Sequence, residues 1–168
     1  MEFRFETEYN AKTLPVMARA LRKTVRKKKS RRTHILGWLL TALCVVLILI
    51  GEPGFRRNVS VAAAVVMWLT MIFEDRINGF FAKKRMLPGT EKAVTVFSEA
   101  GYVTETEAGK TEWKYDTIIA IAESREFFVF LLSMNHGQLY DKGSVQGGTA
   151  EEFRRFLEEN TGKPIQSI

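Results

Sequence analysis

Residues that carry chemistry are scarce in this sequence. Among its 168 residues there are two histidines, His34 and His136, and one cysteine, Cys44. A single cysteine excludes an intrachain disulfide, and no Cys/His spacing is typical of a metal site. Residues 143–148 (GSVQGG) lack the Gly-Lys-Ser/Thr ending of a phosphate-binding loop. The sequence therefore predicts no catalytic residue, no metal and no cofactor, and we expect a protein that is not an enzyme.

Charge is missing from two long segments. Residues 34–51 (HILGWLLTALCVVLILIG) and 58–73 (NVSVAAAVVMWLTMIF) contain no Asp, Glu, Lys or Arg. As a helix the first would reach about 27 Å, close to the hydrocarbon thickness of a bilayer. A Pro-Gly pair between them breaks a helix. The pattern predicts a transmembrane hairpin with a first helix over 34–51, a short external loop over 52–57 and a second helix over 58–76.

Two other interpretations of these segments are disfavoured. A signal peptide is a poor match, because the apolar run is too long and begins beyond residue 30. Buried helices of a soluble protein are also a poor match, since helices that are apolar all round are rare in a domain of this size. The absence of ionisable residues within the segments argues against a transporter. Ser60 and Ala64 form a small-xxx-small surface, which fits packing within the hairpin or a homodimer interface.

Acidic residues are absent from residues 19–32, which hold nine Lys or Arg. The whole chain carries +6, so its other residues sum to −3, and the residues from Pro88 onward carry eight basic and thirteen acidic side chains. A basic segment beside an apolar one favours membrane headgroups over nucleic acid, and we expect no nucleic-acid partner. Lipid headgroup contacts are predicted for eight residues: Arg22, Lys23, Arg26, Lys27, Lys28, Lys29, Arg31 and Arg32.

The positions of Lys and Arg also predict an orientation. Nine lie just before the first apolar segment, from Arg19 to Arg32, and four follow the second at residues 76–85, whereas the intervening loop holds only Arg56 and Arg57. Loops on the cytoplasmic side are enriched in Lys and Arg. We therefore expect a multi-pass protein of the cell membrane with two spans and both termini in the cytoplasm.

The N-terminal segment changes its periodicity. Residues 1–10 alternate apolar and polar side chains, which predicts a half-buried strand. A single strand cannot stand alone, so we expect it to join a sheet encoded after the hairpin. Residues 11–33 have an apolar stripe that includes Leu14 and Leu21 and predict one basic amphipathic helix beside the membrane. Two interpretations stay open, a helix lying on an anionic leaflet and a solvated helix leading into the span.

The C-terminal segment reads as a small β domain. A basic linker is predicted over 77–89, and residues 90–162 contain several short alternating stretches separated by turns. A final helix follows, begun by a capping box of Thr149 and Glu152 and ended at Gly162. Antiparallel strands followed by one amphipathic helix predict an α+β fold of pleckstrin-homology-like architecture, in which the helix closes the sheet and the N-terminal strand joins it.

Four stretches together resemble the YcxB-like family of bacterial membrane proteins. They are the opening MEFRFETEY, the paired apolar segments, the stretch VTVFSEAGYVTETEAGKTEWKYDTIIAIAESREFFVFLL with Trp113, and the closing EEFRRFLEE. The resemblance implies two membrane helices inserted after the first strand of a small pleckstrin-homology-like domain, in a bacterial inner membrane. Family members often carry a Pro-Lys pair where this chain reads YDKGSV, so Lys142 is kept without the proline. The resemblance implies a fold and no defined chemistry.

Three functions are compatible with these features. The favoured one is a membrane-anchored, non-catalytic interaction or scaffolding protein whose cytoplasmic domain binds a protein partner, for example by pairing at a sheet edge. The alternative is sensing of anionic lipid or organisation of the membrane through the basic juxtamembrane helix. An oligomeric channel or transporter subunit is the third and least favoured hypothesis.

Overall fold

The protein has an α+β fold. The computed structural model describes residues 2–168, so Met1 of the predicted strand lies outside the described residues. The strands are β1 (Phe3–Glu8), β2 (Lys92–Ser98), β3 (Gly101–Thr106), β4 (Gly109–Trp113), β5 (Ala120–Glu123), β6 (Phe127–Leu131), β7 (Gly137–Asp141) and β8 (Ile165–Ser167). The helices are α1 (Thr13–Lys23), α2 (Lys27–Ile50), α3 (Phe55–Ile72), α4 (Glu74–Lys84) and α5 (Ala150–Thr161).

The strands form two four-stranded sheets. Sheet A has the order β1-β2-β3-β4 and is antiparallel throughout. Sheet B has the order β7-β6-β5-β8, in which β5 and β8 run parallel. The predicted pairing of the N-terminal strand is confirmed, because β1 pairs with β2 in a register that sets Phe3 opposite Phe97. Helices α1 to α4 are therefore inserted between two neighbouring strands of one sheet.

An aromatic core fills the space between the sheets and α5. On β1 Phe3, Phe5 and Thr7 are buried and the alternate residues are exposed, which confirms the predicted alternation. The ring of Phe97 contacts five other aromatic rings at the centre of this core. The predicted capping box of α5 is present, and Gly162 ends the helix in the left-handed conformation. Phe153 and Leu157 carry the buried face of this helix.

Helix α1 covers the other face of sheet B. Leu14 and Leu21 are only 2% and 5% exposed, and Leu21 packs in a cluster with apolar residues of β6 and β7. The prediction of one helix over residues 11–33 is wrong, because α1 ends at Lys23 and α2 begins at Lys27. The apolar stripe of this helix faces sheet B, so that stripe is covered by the protein itself. Helix α1 is thus part of the β domain.

The segment predicted as a basic linker is largely helical. Helix α4 spans Glu74–Lys84 and packs closely against α1. The closest approach is at Gly79, where an added Cβ would lie 2.8 Å from the backbone nitrogen of Pro15. Only Phe73 separates α3 from α4. The absence of a side chain at Gly79 therefore allows the helix that follows the hairpin to dock on the domain.

Helices α2 and α3 pair with each other and are otherwise uncovered. Both are long and apolar enough to cross a membrane by length and composition, and neither has a buried residue in its apolar part. The observed helix bounds differ from the predicted ranges of 34–51 and 58–76, since α2 already begins within the basic run at Lys27 and α3 ends at Ile72. A short C-terminal strand, β8, was not predicted from the sequence.

Candidate functional site

The eight predicted headgroup residues do not lie on one helix. Arg22 and Lys23 end α1, Arg26 lies in the break between helices, and the other five occupy the first two turns of α2. Six of the eight are exposed, whereas Arg22 and Arg26 are half-buried. The exposed residues of α2 directly precede its apolar part and define what we call the basic collar: Lys27, Lys28, Lys29, Arg31 and Arg32.

Arg22 is held by acidic residues of α4. Its guanidinium donates two hydrogen bonds of 2.7 Å to the carboxylate of Asp75, which is only 14% exposed. This contact raises the pKa of Arg22 above its ordinary value. Arg19 approaches the same carboxylate at 3.4 Å. The charge of Arg22 is thus balanced within the chain.

Arg26 is held by the turn between β6 and β7. It donates to the backbone oxygen of Met134 at 2.5 Å and to the Oδ1 of Asn135. The turn that precedes α2 is therefore attached to sheet B. The charge of Arg26 has no carboxylate partner among residues 2–168.

A charged cluster connects the helical hairpin to the domain. The Nε2 of His34 on α2 lies 3.3 Å from the Oε2 of Glu74 on α4, and the Nε of Arg22 on α1 lies 3.7 Å from the same oxygen. Three helices therefore meet at one carboxylate at the start of the apolar part of α2. We call Arg19, Arg22, His34, Glu74 and Asp75 the junction cluster.

An open groove of about 740 Å³ lies beside this junction. Helices α1 and α4 form one side, and strands β3 and β4 with the turn before β7 form the other. Trp113 forms part of the wall and packs against the aromatic core. Its ring stacks between those of Tyr102 and His136. Burial lowers the pKa of His136, which favours its neutral form.

A second concave surface of about 900 Å³ lies on the outer face of sheet A. Its centre is apolar and contains Val94, Val96 and Val103, while both acidic and basic side chains surround it. Strand β4 forms one edge of this sheet and pairs only with β3 within the described chain. Four of its five residues are exposed. This edge can accept hydrogen bonds from, and donate them to, another extended chain.

A second ion-pair network, away from the junction cluster, is centred on Glu123. The Nζ of Lys142 lies 2.5 Å from Glu123 and 4.7 Å from the centre of the Phe128 ring, and Arg154 approaches the other oxygen of Glu123 at 3.5 Å. Residues 2–168 contain no group of three or more His, Cys, Asp or Glu that could hold a metal ion. Burial raises the pKa of Tyr140, which keeps its hydroxyl protonated.

The candidate-site residues that the sequence did not identify are those of the groove other than Arg26, together with the acidic half of the junction cluster. Their chain positions are far apart, and only the charge of Asp75 and Glu74 after an apolar run was a local signal. Comparisons with models of protein families, with curated proteins and with solved structures found no match.

Proposed function

We propose that this chain is a membrane protein with two spans that holds a cytoplasmic, pleckstrin-homology-like domain at the membrane surface and acts there as a non-catalytic interaction protein. Support for the architecture comes from strands β1 to β7, which pair with one another only in antiparallel fashion, and from α5, which covers the aromatic core. Support for membrane insertion comes from the uncovered apolar surfaces of α2 and α3.

The attachment of the domain to the spans supports an anchoring role. Helix α1 packs on sheet B and on α4, and the junction cluster connects both helices to α2. A domain on a long flexible linker would be free to sample many orientations, whereas these contacts fix one. A fixed orientation presents the same surfaces of the domain to the cytoplasm at all times.

The observation that carries the partner proposal is the exposed edge of β4. An extended protein segment can add to such an edge, gaining backbone hydrogen bonds for affinity and side-chain contacts for specificity. Lys110 and Glu112 are exposed on this strand, and Lys110 also borders the concave face of sheet A. The proposed partner segment pairs with β4 and contacts that face.

Site-specific crosslinking in native membranes tests this proposal. A photoreactive amino acid replaces Glu112 in the full chain, and the matched control replaces Glu151, an exposed residue of α5. We expect a discrete crosslinked product from position 112 and not from position 151. The same products from both positions, or none from either, would argue against β4 as the interaction edge. The full chain is required, because a fragment of β strands alone would leave the α1 face of sheet B uncovered.

A second candidate function is contact with anionic lipid through the basic collar. Five exposed cationic side chains directly precede the apolar part of α2, and each contributes about 1 kcal/mol near an anionic surface. Replacing Lys27, Lys28 and Lys29 by Gln should lower the amount of phosphatidylglycerol that co-purifies with the chain, as measured by native mass spectrometry. Equal lipid content in both proteins would favour the interaction role alone.

A further inference from the structure

We propose that the groove beside the junction cluster binds a single anionic phospholipid, with an acyl chain between α1, α4 and Trp113 and the headgroup at Arg85. The inference goes beyond the partner edge on β4, and it rests on the proposed membrane placement of α2 and α3. Its ligand is a lipid of the leaflet next to the domain.

Apolar side chains line the groove and continue at its mouth. Leu14 and Leu21 come from α1 and Phe81 and Leu87 from α4 and its C-terminal extension. Phe81 and Leu87 remain 48% and 70% exposed, although they lie on the folded domain rather than on the hairpin. Exposed apolar surface of this kind marks a binding site when it borders a cavity. The groove can therefore accept hydrocarbon.

The charge of the lining selects an anionic headgroup. The groove is bordered by Arg26, Arg85 and His136, and the described residues that line it include no Asp or Glu. This contrasts with the remainder of the domain, since the residues from Pro88 onward carry eight basic and thirteen acidic side chains. Arg85 is exposed and has no side-chain partner within residues 2–168. Its guanidinium is thus available to a phosphate, for which its fork of donors is well suited.

The position of the groove suits a lipid source. Arg26 lies one residue before α2 and eight residues before His34, where the apolar part of α2 begins. Eight residues of helix correspond to about 12 Å. The groove therefore opens just beyond the headgroup layer on the side that carries the basic collar. A lipid of that leaflet needs only a short displacement to place a chain in the groove.

Fluorescence quenching of Trp113 gives a direct test. In the full chain carrying Trp38→Phe and Trp68→Phe, Trp113 is the only tryptophan left of the three in the sequence. The purified protein in neutral detergent is titrated with phosphatidylglycerol bearing a nitroxide on one acyl chain. Phosphatidylcholine with the same labelled chain is the control ligand. Arg85→Gln is the test variant, and Lys84→Gln is the matched control, because Lys84 is exposed and does not line the groove.

The expected result is saturable quenching by phosphatidylglycerol at lower concentrations than by phosphatidylcholine. Arg85→Gln should weaken this binding about fivefold, the equivalent of one cation at an anionic headgroup. Lys84→Gln should leave it unchanged. Quenching that rises without saturation, that is equal for both lipids, or that is unaffected by Arg85→Gln would overturn the proposal. A groove reserved for a protein segment would give the first of these results. The assay is carried out in micelles, so its failure is distinct from an error in membrane topology.

Discussion

Lys142 has a structural role at the contact between β5 and β6. It contacts Glu123 and the face of Phe128, and the side chains of Lys142 and Glu123 are only 19% and 16% exposed. Removing the carboxylate leaves Lys142 without a counter-charge in a partly desolvated site and leaves Arg154 with Glu158 as its remaining partner. We expect Glu123→Gln to lower the free energy of unfolding by about 1–3 kcal/mol. Denaturant unfolding of the full chain in detergent measures this change.

The control for that prediction uses the same cation network. Glu158→Gln removes the more exposed partner of Arg154. Glu158 lies one turn further along α5, with its Oε1 3.6 Å from the Nε of Arg154. An exposed pair of this type contributes about 0.5 kcal/mol or less. A double-mutant cycle with Glu123→Gln and Lys142→Met isolates the coupling of the pair. Equal losses for Glu123→Gln and Glu158→Gln would contradict the structural role of Lys142.

Glu152 should make the stability of α5 depend on pH. Its carboxylate accepts hydrogen bonds from the backbone nitrogen of Thr149 at 2.7 Å and from the Thr149 hydroxyl at 2.9 Å. These bonds lower the pKa of Glu152. The unfolded chain therefore binds this proton more tightly, and the stabilisation is complete above the unfolded pKa of about 4.3 and is lost as pH falls through the folded value.

Thermal unfolding as a function of pH tests this expectation. The melting temperature of Glu152→Gln should lie below that of the unaltered chain at pH 7, and the gap should close as the pH approaches 3. Glu151→Gln, in the same helical turn, controls for the change in net charge. A gap that stays constant or widens toward low pH would contradict a role for the ionised carboxylate.

At the scale of elements, local sequence patterns predicted the type of several elements, but they did not predict which surface each element packs against. The alternation in β1 and the capping box of α5 are each patterns of fewer than ten residues, and both predictions were confirmed. The apolar stripe of α1 was also visible. A leaflet and the outer face of sheet B accept the same stripe, so the sequence could not distinguish them. Strand β8 has three residues, too few for any periodicity to appear.

The contact between α1 and α4 depends on Gly79. In a helix interior, replacing glycine by alanine ordinarily stabilises a protein by about 0.5–1 kcal/mol. Here the new Cβ would lie 2.8 Å from the backbone nitrogen of Pro15. Because this atom is backbone, α1 and α4 would have to move apart to accommodate the methyl group. We expect Gly79→Ala to have the opposite sign and to destabilise the chain by about 1–3 kcal/mol, measured by its unfolding midpoint in detergent.

Gly37 provides a matched control for Gly79. A Cβ at Gly37 would lie 2.9 Å from the sulfur of Met71, which is the far end of a flexible side chain. Met71 can change rotamer at low cost, so Gly37→Ala should be neutral or nearly so. A stabilising Gly79→Ala would show that α1 and α4 are not held at this distance.

For the whole molecule, the sequence located the cations of the site and not their partners. The run of basic residues is contiguous, so composition alone revealed it. Asp75 lies 53 residues from Arg22 and Asn135 lies 109 residues from Arg26, and only the folded chain brings them together. The groove combines residues of β1–α1, α4, β3–β4 and the turn before β7. A surface assembled from four distant segments has no local signature.

The proposed topology is a property of the whole molecule and can be tested by cysteine labelling. In a Cys44→Ala background, single cysteines are introduced as Lys12→Cys in the N-terminal part, Glu52→Cys in the loop between α2 and α3, and Glu159→Cys on α5. All three positions are exposed. A membrane-impermeant maleimide added to intact cells should label only position 52, and positions 12 and 159 should react after lysis.

The physical cause of this topology can be tested in the same assay. The basic collar holds five cations at the start of α2, whereas the segment between the apolar parts of α2 and α3 holds Arg56 and Arg57. Cytoplasmic retention of Lys and Arg sets orientation when the flanking loops are short. Replacing all five collar residues by Gln should therefore give a fraction of chains in which position 12 becomes reactive from outside. If the orientation stays uniform, the cations at residues 76–85 or the folding of β1 into sheet A are sufficient to fix it. The basic collar would then not determine topology, and lipid contact would be its remaining proposed role.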